Sequence, residues 1–80
     1  MRTVTLYTRP GCHLCDDARS ALHKLSAEVE FELEEVNIET DDALHAAYLE
    51  RIPVICLDGE HVSDYFLDEP TLTARLNSDG

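Results

Sequence analysis

Eighty residues, 44% of them apolar and 29% charged, make one small folded domain spanning 1–80, with no room for a separate substrate domain. Six Lys and Arg against 17 Asp and Glu give a net charge of −11, which excludes nucleic acid and anionic membrane surfaces as partners, since both are held by basic side chains. No apolar run approaches the roughly 20 residues of a membrane span, and the start, MRTVTLYT, lacks an apolar secretion segment, so a cytoplasmic monomer is expected.

Taken in chain order, Thr3 to Thr8 carry Val4, Leu6 and Thr8 on one face and Thr5 and Tyr7 on the other, the pattern of a strand. Pro10-Gly11 breaks it. From His13 to about Ala27 the apolar positions Leu14, Ala18, Ala21, Leu22 and Leu25 recur at helical spacing and form one stripe. Glu28 to Ile38 returns to period two, with Val29, Phe31 and Leu33 alternating with glutamates; this predicts a half-exposed edge strand whose charges discourage edge-to-edge pairing. The alternation slips at Glu34-Glu35, which predicts a bulge or strand end there. Thr40 or Asp41 can cap a second helix over Asp42 to Glu50, with Leu44, Ala47 and Tyr48 inward. After Pro53 comes the apolar run Val54-Ile55-Cys56-Leu57, then the turn dipeptide Asp58-Gly59 and a returning strand over His61 to Phe66. Asp68 or Glu69 before Pro70 starts a last helix that carries Leu72 and Leu76. The order β-α-β-α-β-β-α predicts an α/β fold with a mixed four-stranded sheet flanked by helices.

The chemistry centres on Arg9-Pro10-Gly11-Cys12-His13-Leu14-Cys15-Asp16-Asp17. Two cysteines three apart sit where a strand passes into a helix. If the helix starts at Cys12, its sulfur faces the unpaired N–H groups of the first turn, and these with the helix dipole favour the thiolate. Cys15, one turn further in, can then close a disulfide, which makes Cys12 the nucleophile and Cys15 the resolving thiol. Arg9 adds positive potential and His13 can donate to the sulfur, while Asp16 and Asp17 oppose both. Zinc sites use the same cysteine spacing, so a zinc or iron–sulfur module, or a redox-silent interaction domain, stands beside the redox reading. Arg51-Ile52-Pro53-Val54 either stops the second helix or holds a cis proline beside the cysteines, where the preceding backbone can pair with an extended substrate.

With LYTRPGCHLC (6–15), the leucine spacing of the first helix, Glu35-Val36-Asn37-Ile38, Arg51-Ile52-Pro53-Val54 and the Asp58-Gly59 hairpin, the chain resembles a glutaredoxin-like member of the thioredoxin-fold superfamily over nearly its whole length. The resemblance implies that Cys12 attacks, Cys15 resolves, and the Ile52–Pro53 peptide is cis. It places Arg9 where the family carries a lysine that contacts a glutathione carboxylate. It also implies reduction of protein or glutathione mixed disulfides with no bound cofactor, glutathione or a disulfide reductase being the electron donor and disulfide-bearing proteins the substrates. The chain departs from the family at three places: His13-Leu14 replaces Pro-Tyr between the cysteines, Arg51-Ile52 replaces Thr-Val, and Val62-Ser63-Asp64-Tyr65 replaces a Gly-Gly turn. Asp64 is a candidate receiver for a substrate ammonium.

The remaining candidates are weaker. Cys56 reads as a buried inert thiol; the sharper alternative is a metal site of Cys12, Cys15, Cys56 and His61. His23 and His45 read as solvated helix residues, and Tyr7 either walls the groove or packs in the core. The run from Glu28 to Asp42 holds eight acidic residues and no Lys or Arg, a solvated face. Arg9 and Arg51 flank the cysteine pair, which favours a carboxylate-bearing substrate such as glutathione or an acidic protein segment. The substrate-contacting set is therefore Arg9, His13, Arg51, Ile52, Pro53 and Asp64.

Overall fold

The computed structural model describes residues 2–77. The chain runs β1 (Thr3–Thr8), α1 (His13–Ser26), β2 (Glu32–Asn37), a 3-10 turn (Ile38–Thr40), α2 (Asp42–Tyr48), β3 (Val54–Leu57), β4 (Glu60–Asp64) and α3 (Glu69–Asn77). The sheet order is β2-β1-β3-β4; β1 and β2 are parallel, and the other two pairs are antiparallel. This is the mixed four-stranded, thioredoxin-like architecture expected from the sequence.

Alternation along β1 sorts the two faces. Val4 and Leu6, with Ile55 and Leu57 beside them, form one core with Ala18, Leu22 and Leu25 of α1 and with Leu72 and Leu76 of α3. On the opposite face Tyr7 stacks on Tyr48 of α2, with ring centroids 4.8 Å apart. The helical stripe of α1 is Cys15, Ala18, Leu22 and Leu25, all buried. Leu14 does not belong to it. It lies in the first turn, with 54% of its surface exposed.

Several predicted boundaries move. β2 begins at Glu32 instead of Glu28, because the amides of Glu28 and Val29 both bond to Leu25 O (2.9 Å each) and extend the end of α1 into a turn. The β1–β2 register is unbroken from Thr3↔Glu32 to Thr8↔Asn37, so Glu34-Glu35 is not a bulge. Glu35 lies opposite Leu6 and so leaves the sheet on the same face, where the Arg19 guanidinium of α1 donates to its carboxylate. An ion pair takes the place of an apolar contact, and this is why the alternation slips. α2 ends at Tyr48 instead of Glu50, as the amides of Arg51 and Ile52 both bond to Tyr48 O (2.8 and 3.0 Å). Of its expected inner residues, Leu44 and Tyr48 are half-buried and Ala47 is exposed. β4 ends at Asp64 instead of Phe66, since Tyr65 takes a left-handed φ of 67° that turns the chain out of the sheet.

The local signals at element ends are physical ones. Asp41 caps α2, its Oδ1 accepting from Ala43 N (2.8 Å) and Leu44 N (3.3 Å). Asp68 caps α3 by accepting from Thr71 N (3.3 Å) and its hydroxyl (2.8 Å), with Pro70 in the first turn. Asp58 (φ 51°) and Gly59 (φ 86°) are both left-handed, as a tight hairpin between right-twisted strands demands. The Asp58 carboxylate accepts from Thr3 N (2.9 Å) and Arg2 Nε (2.8 Å), and these bonds hold it below the usual carboxylate range.

Candidate functional site

β1 delivers the chain to the cysteines. Gly11 turns it with a φ of 82°, which a side chain would resist. Cys12 follows in an extended conformation (φ −91°, ψ 108°) as the N-cap of α1, and its Sγ accepts the Cys15 amide at 3.2 Å. Cys12 and Cys15 are joined in a disulfide, with Cα atoms 5.2 Å apart. Cys15 is fully buried and Cys12 is half-buried, so Cys12 is the more open of the two. A depression of about 360 Å³ is bounded by Arg9, Pro10, Gly11, Cys12 and Ile52. The Ile52–Pro53 peptide is cis, and Pro53 is buried.

The sheet register explains why distant segments meet here. Tyr7 is paired with Val54, and Val54 with Asp64. The end of β1, the start of β3 and the end of β4 therefore share one end of the sheet, the end from which α1 begins. Arg51 reaches across to Asp64, donating from Nε (3.1 Å) and a terminal nitrogen (3.0 Å) to the same Oδ2. His61 Nε2 lies 2.6 Å from Asp64 Oδ1. Burial works against charge on Asp64, but the bonds from His61 and Arg51 outweigh it and hold the carboxyl below its ordinary value. Arg51 also lies over the Tyr48 ring, 5.6 Å from its centroid.

The structure thus brings Arg9, Cys12 and Ile52 around one depression, with Cys15 bonded to Cys12 and Pro53 following Ile52; Arg51 and Asp64 lie at the same end of the sheet, and His13 is exposed on the first turn of α1. It alters two expectations about charge. Arg9 pairs with Glu39 at 3.4 Å, and Arg51 with Asp64, so the two cations flanking the cysteines are matched by carboxylates of their own chain. Asp64 is correspondingly engaged by two side chains rather than open to an incoming ammonium.

The proposed four-residue metal site does not assemble. Cys56 pairs with Thr5 in the β1–β3 register, on the sheet face away from α1, and His61 turns to Asp64. Among the described residues no group of three or more His, Cys, Asp or Glu is arranged to hold a metal. Cys56 is buried, and burial raises its thiol above the ordinary value; Asp64 adds to the rise and Arg51 opposes it. Tyr7, raised by burial and then by Cys56, stacks on Tyr48 and does not border the depression at Cys12. Sequence reasoning missed Glu39 as the partner of Arg9 and Tyr48 as the support of Arg51. It also missed a hollow of about 200 Å³ behind the Pro10-Gly11 turn, lined in part by Thr8, Arg19 and Asn37, where the buried Thr8 hydroxyl has no hydrogen-bond partner. No periodicity marks these residues, because each pairing crosses between elements.

Residues 3–77 match the family model described as a glutaredoxin-like domain (DUF836). The uncharacterized protein Rv0508 of Mycobacterium tuberculosis is 33% identical over 78 residues, covering 91% of this chain and 80% of that one. The solution structure of protein Ne2328 from Nitrosomonas europaea superposes with a TM-score of 0.83 at 34% identity, over 92% of this chain and 89% of that one. A thioredoxin from Halobacterium salinarum, 21% identical, superposes with a TM-score of 0.69 over 96% of this chain and 73% of its own length, and shows the shared fold.

Proposed function

The chain belongs to the glutaredoxin-like domain family (DUF836), and from that premise we propose that it is a thiol–disulfide oxidoreductase working through Cys12 and Cys15. One observation carries the reading: the more open sulfur caps α1 and accepts the Cys15 amide, while its partner lies buried one turn further in. A hydrogen bond from that amide, together with the dipole of α1, stabilises charge on Cys12 when the pair is reduced.

In the reduced protein the Cys12 thiolate attacks one sulfur of a substrate disulfide. The other sulfur leaves as a thiolate and takes a proton from water, and a mixed disulfide remains on Cys12. Cys15 then gives up its proton and attacks the Cys12 sulfur. The second substrate sulfur departs as a thiol, and the Cys12–Cys15 disulfide forms. Two electrons have passed to the substrate. Two glutathione thiols, or the dithiol of a disulfide reductase, return the pair to its reduced form; no bound cofactor takes part. Arg9 and Ile52 border the depression into which the attacked disulfide enters, and substrate contact by His13, Arg51, Pro53 and Asp64 is part of the same proposal.

A coupled assay tests this, with glutathione plus its reductase compared against thioredoxin reductase as the source of electrons. Cys12→Ser is expected to fall to the uncatalysed rate. Cys15→Ser is expected to accumulate a mixed disulfide visible as added mass, or to retain a one-thiol activity. Wild-type exchange by Cys12→Ser would overturn the proposal.

A further inference from the structure

Among the described residues the large apolar side chains left exposed are Leu14 (54%), Tyr65 (54%) and Phe66 (62%). All three belong to segments at the Cys12 end of the sheet. Leu14 lies between the two cysteines. Tyr65 follows the last residue of β4, and its amide bonds to Arg51 O at 3.0 Å. Arg51 in turn precedes Ile52, which borders the same depression as Cys12. Exposed large apolar side chains confined to one end of an acidic protein mark a contact surface rather than scatter.

The charge around these side chains is negative. Asp17 follows Leu14 by one turn and is exposed, and Asp68 and Glu69 follow Phe66 at the start of α3. The two cations of this end, Arg9 and Arg51, are already paired with Glu39 and Asp64. The whole chain carries −11. Such a surface draws in a cationic chain more strongly than an anionic one.

We propose that the surface formed by Leu14, Tyr65 and Phe66 docks a basic polypeptide that places apolar side chains next to its disulfide. That the docked segment carries a disulfide rests on the oxidoreductase reading above; the docking itself does not. The partner's apolar residues cover the exposed rings and Leu14, and its Lys or Arg residues, further out, meet the carboxylates of Asp17 and Glu69.

The test uses the oxidised wild-type protein and labelled peptides of equal length with serine in place of the substrate cysteine, followed by fluorescence anisotropy. One peptide has Leu and Phe beside the serine and lysines outside; a second has glutamates outside; a third keeps the lysines but has only polar neighbours. The first is expected to bind at least about tenfold more tightly than either of the others, with affinity falling as salt is added. Leu14→Ser combined with Phe66→Ser is expected to remove the preference for apolar neighbours, and Asp17→Lys to weaken the preference for lysines. Equal affinity for the acidic peptide, or no binding of any peptide, overturns the proposal. So does a concentration-dependent dimer that the Leu14→Ser/Phe66→Ser pair abolishes, since a second copy of the chain would then be the occupant. Because no thiol reacts in this experiment, docking and thiol exchange can fail independently: loss of turnover in the coupled assay with peptide binding intact would sink only the redox reading.

Discussion

Asp64 takes two N–H bonds from Arg51 on one oxygen and faces His61 with the other. Replacing it with asparagine removes the charge but keeps the shape, and is expected to cost about 2 kcal/mol near neutral pH, the worth of hydrogen bonds to a charged group. The folded carboxyl titrates below its ordinary value. Its contribution is therefore present above the unfolded value of about 3.9 and is lost as pH falls through the folded one. Urea unfolding of wild type and Asp64→Asn should diverge near neutrality and converge in acid; a gap that stays constant across that range would refute the assignment. Arg51 and Asp64 were each legible as candidates from their places in the chain, but their partnership was not. It depends on a register shift between Ile55 and Cys56, after which Cys56 faces His61, and no single-sequence pattern encodes a shift of that kind. Leu14 misled for a related reason: it has the residue type of the buried stripe, but in the first turn of α1 the buried place is taken by its neighbour Cys15.

Two helices of this small chain are held by different means. α1 buries Cys15, Ala18, Leu22 and Leu25, whereas α2 buries none of its residues and rests on Asp41 as its cap and on the Tyr7–Tyr48 contact. Leu22→Ala leaves a cavity in the main core and is expected to cost about 3 kcal/mol in urea unfolding, against about 1 kcal/mol for Asp41→Ala at the cap. Native-state hydrogen exchange is expected to find the α2 amides open faster than those of α1; the reverse order would contradict the packing described above. The strands β1 and β3 and the Asp58-Gly59 hairpin were readable because period-two alternation, a continuous apolar run and a dipeptide that tolerates left-handed φ are local properties. The start of β2 was not. Glu28 and Glu30 keep the right period, yet the backbone bonds made by Glu28 and Val29 to Leu25 O claim that stretch for the end of α1.

At the scale of the molecule, charge opposes compactness. With a net charge of −11 in 80 residues, the folded state concentrates like charges that the unfolded chain spreads apart. Raising salt from about 0.01 M to about 0.1 M shortens the screening length from about 30 Å to about 10 Å. The melting temperature is expected to rise over this range, and a fall would mean that ion pairs such as Arg2–Asp58 and Arg19–Glu35 outweigh the repulsion.

The place of β1 inside the sheet also bears on how the protein comes into being. β1, made before the strands that flank it, has β2 on one side and β3 on the other. Its second neighbour is not finished until Leu57 has been made, and the main core still lacks Leu72 and Leu76 at that point. Val4 and Leu6 therefore wait, with only α1 among their core helices already made, until α3 has emerged, so the scaffold behind the cysteine pair is completed long after the pair itself has been synthesised.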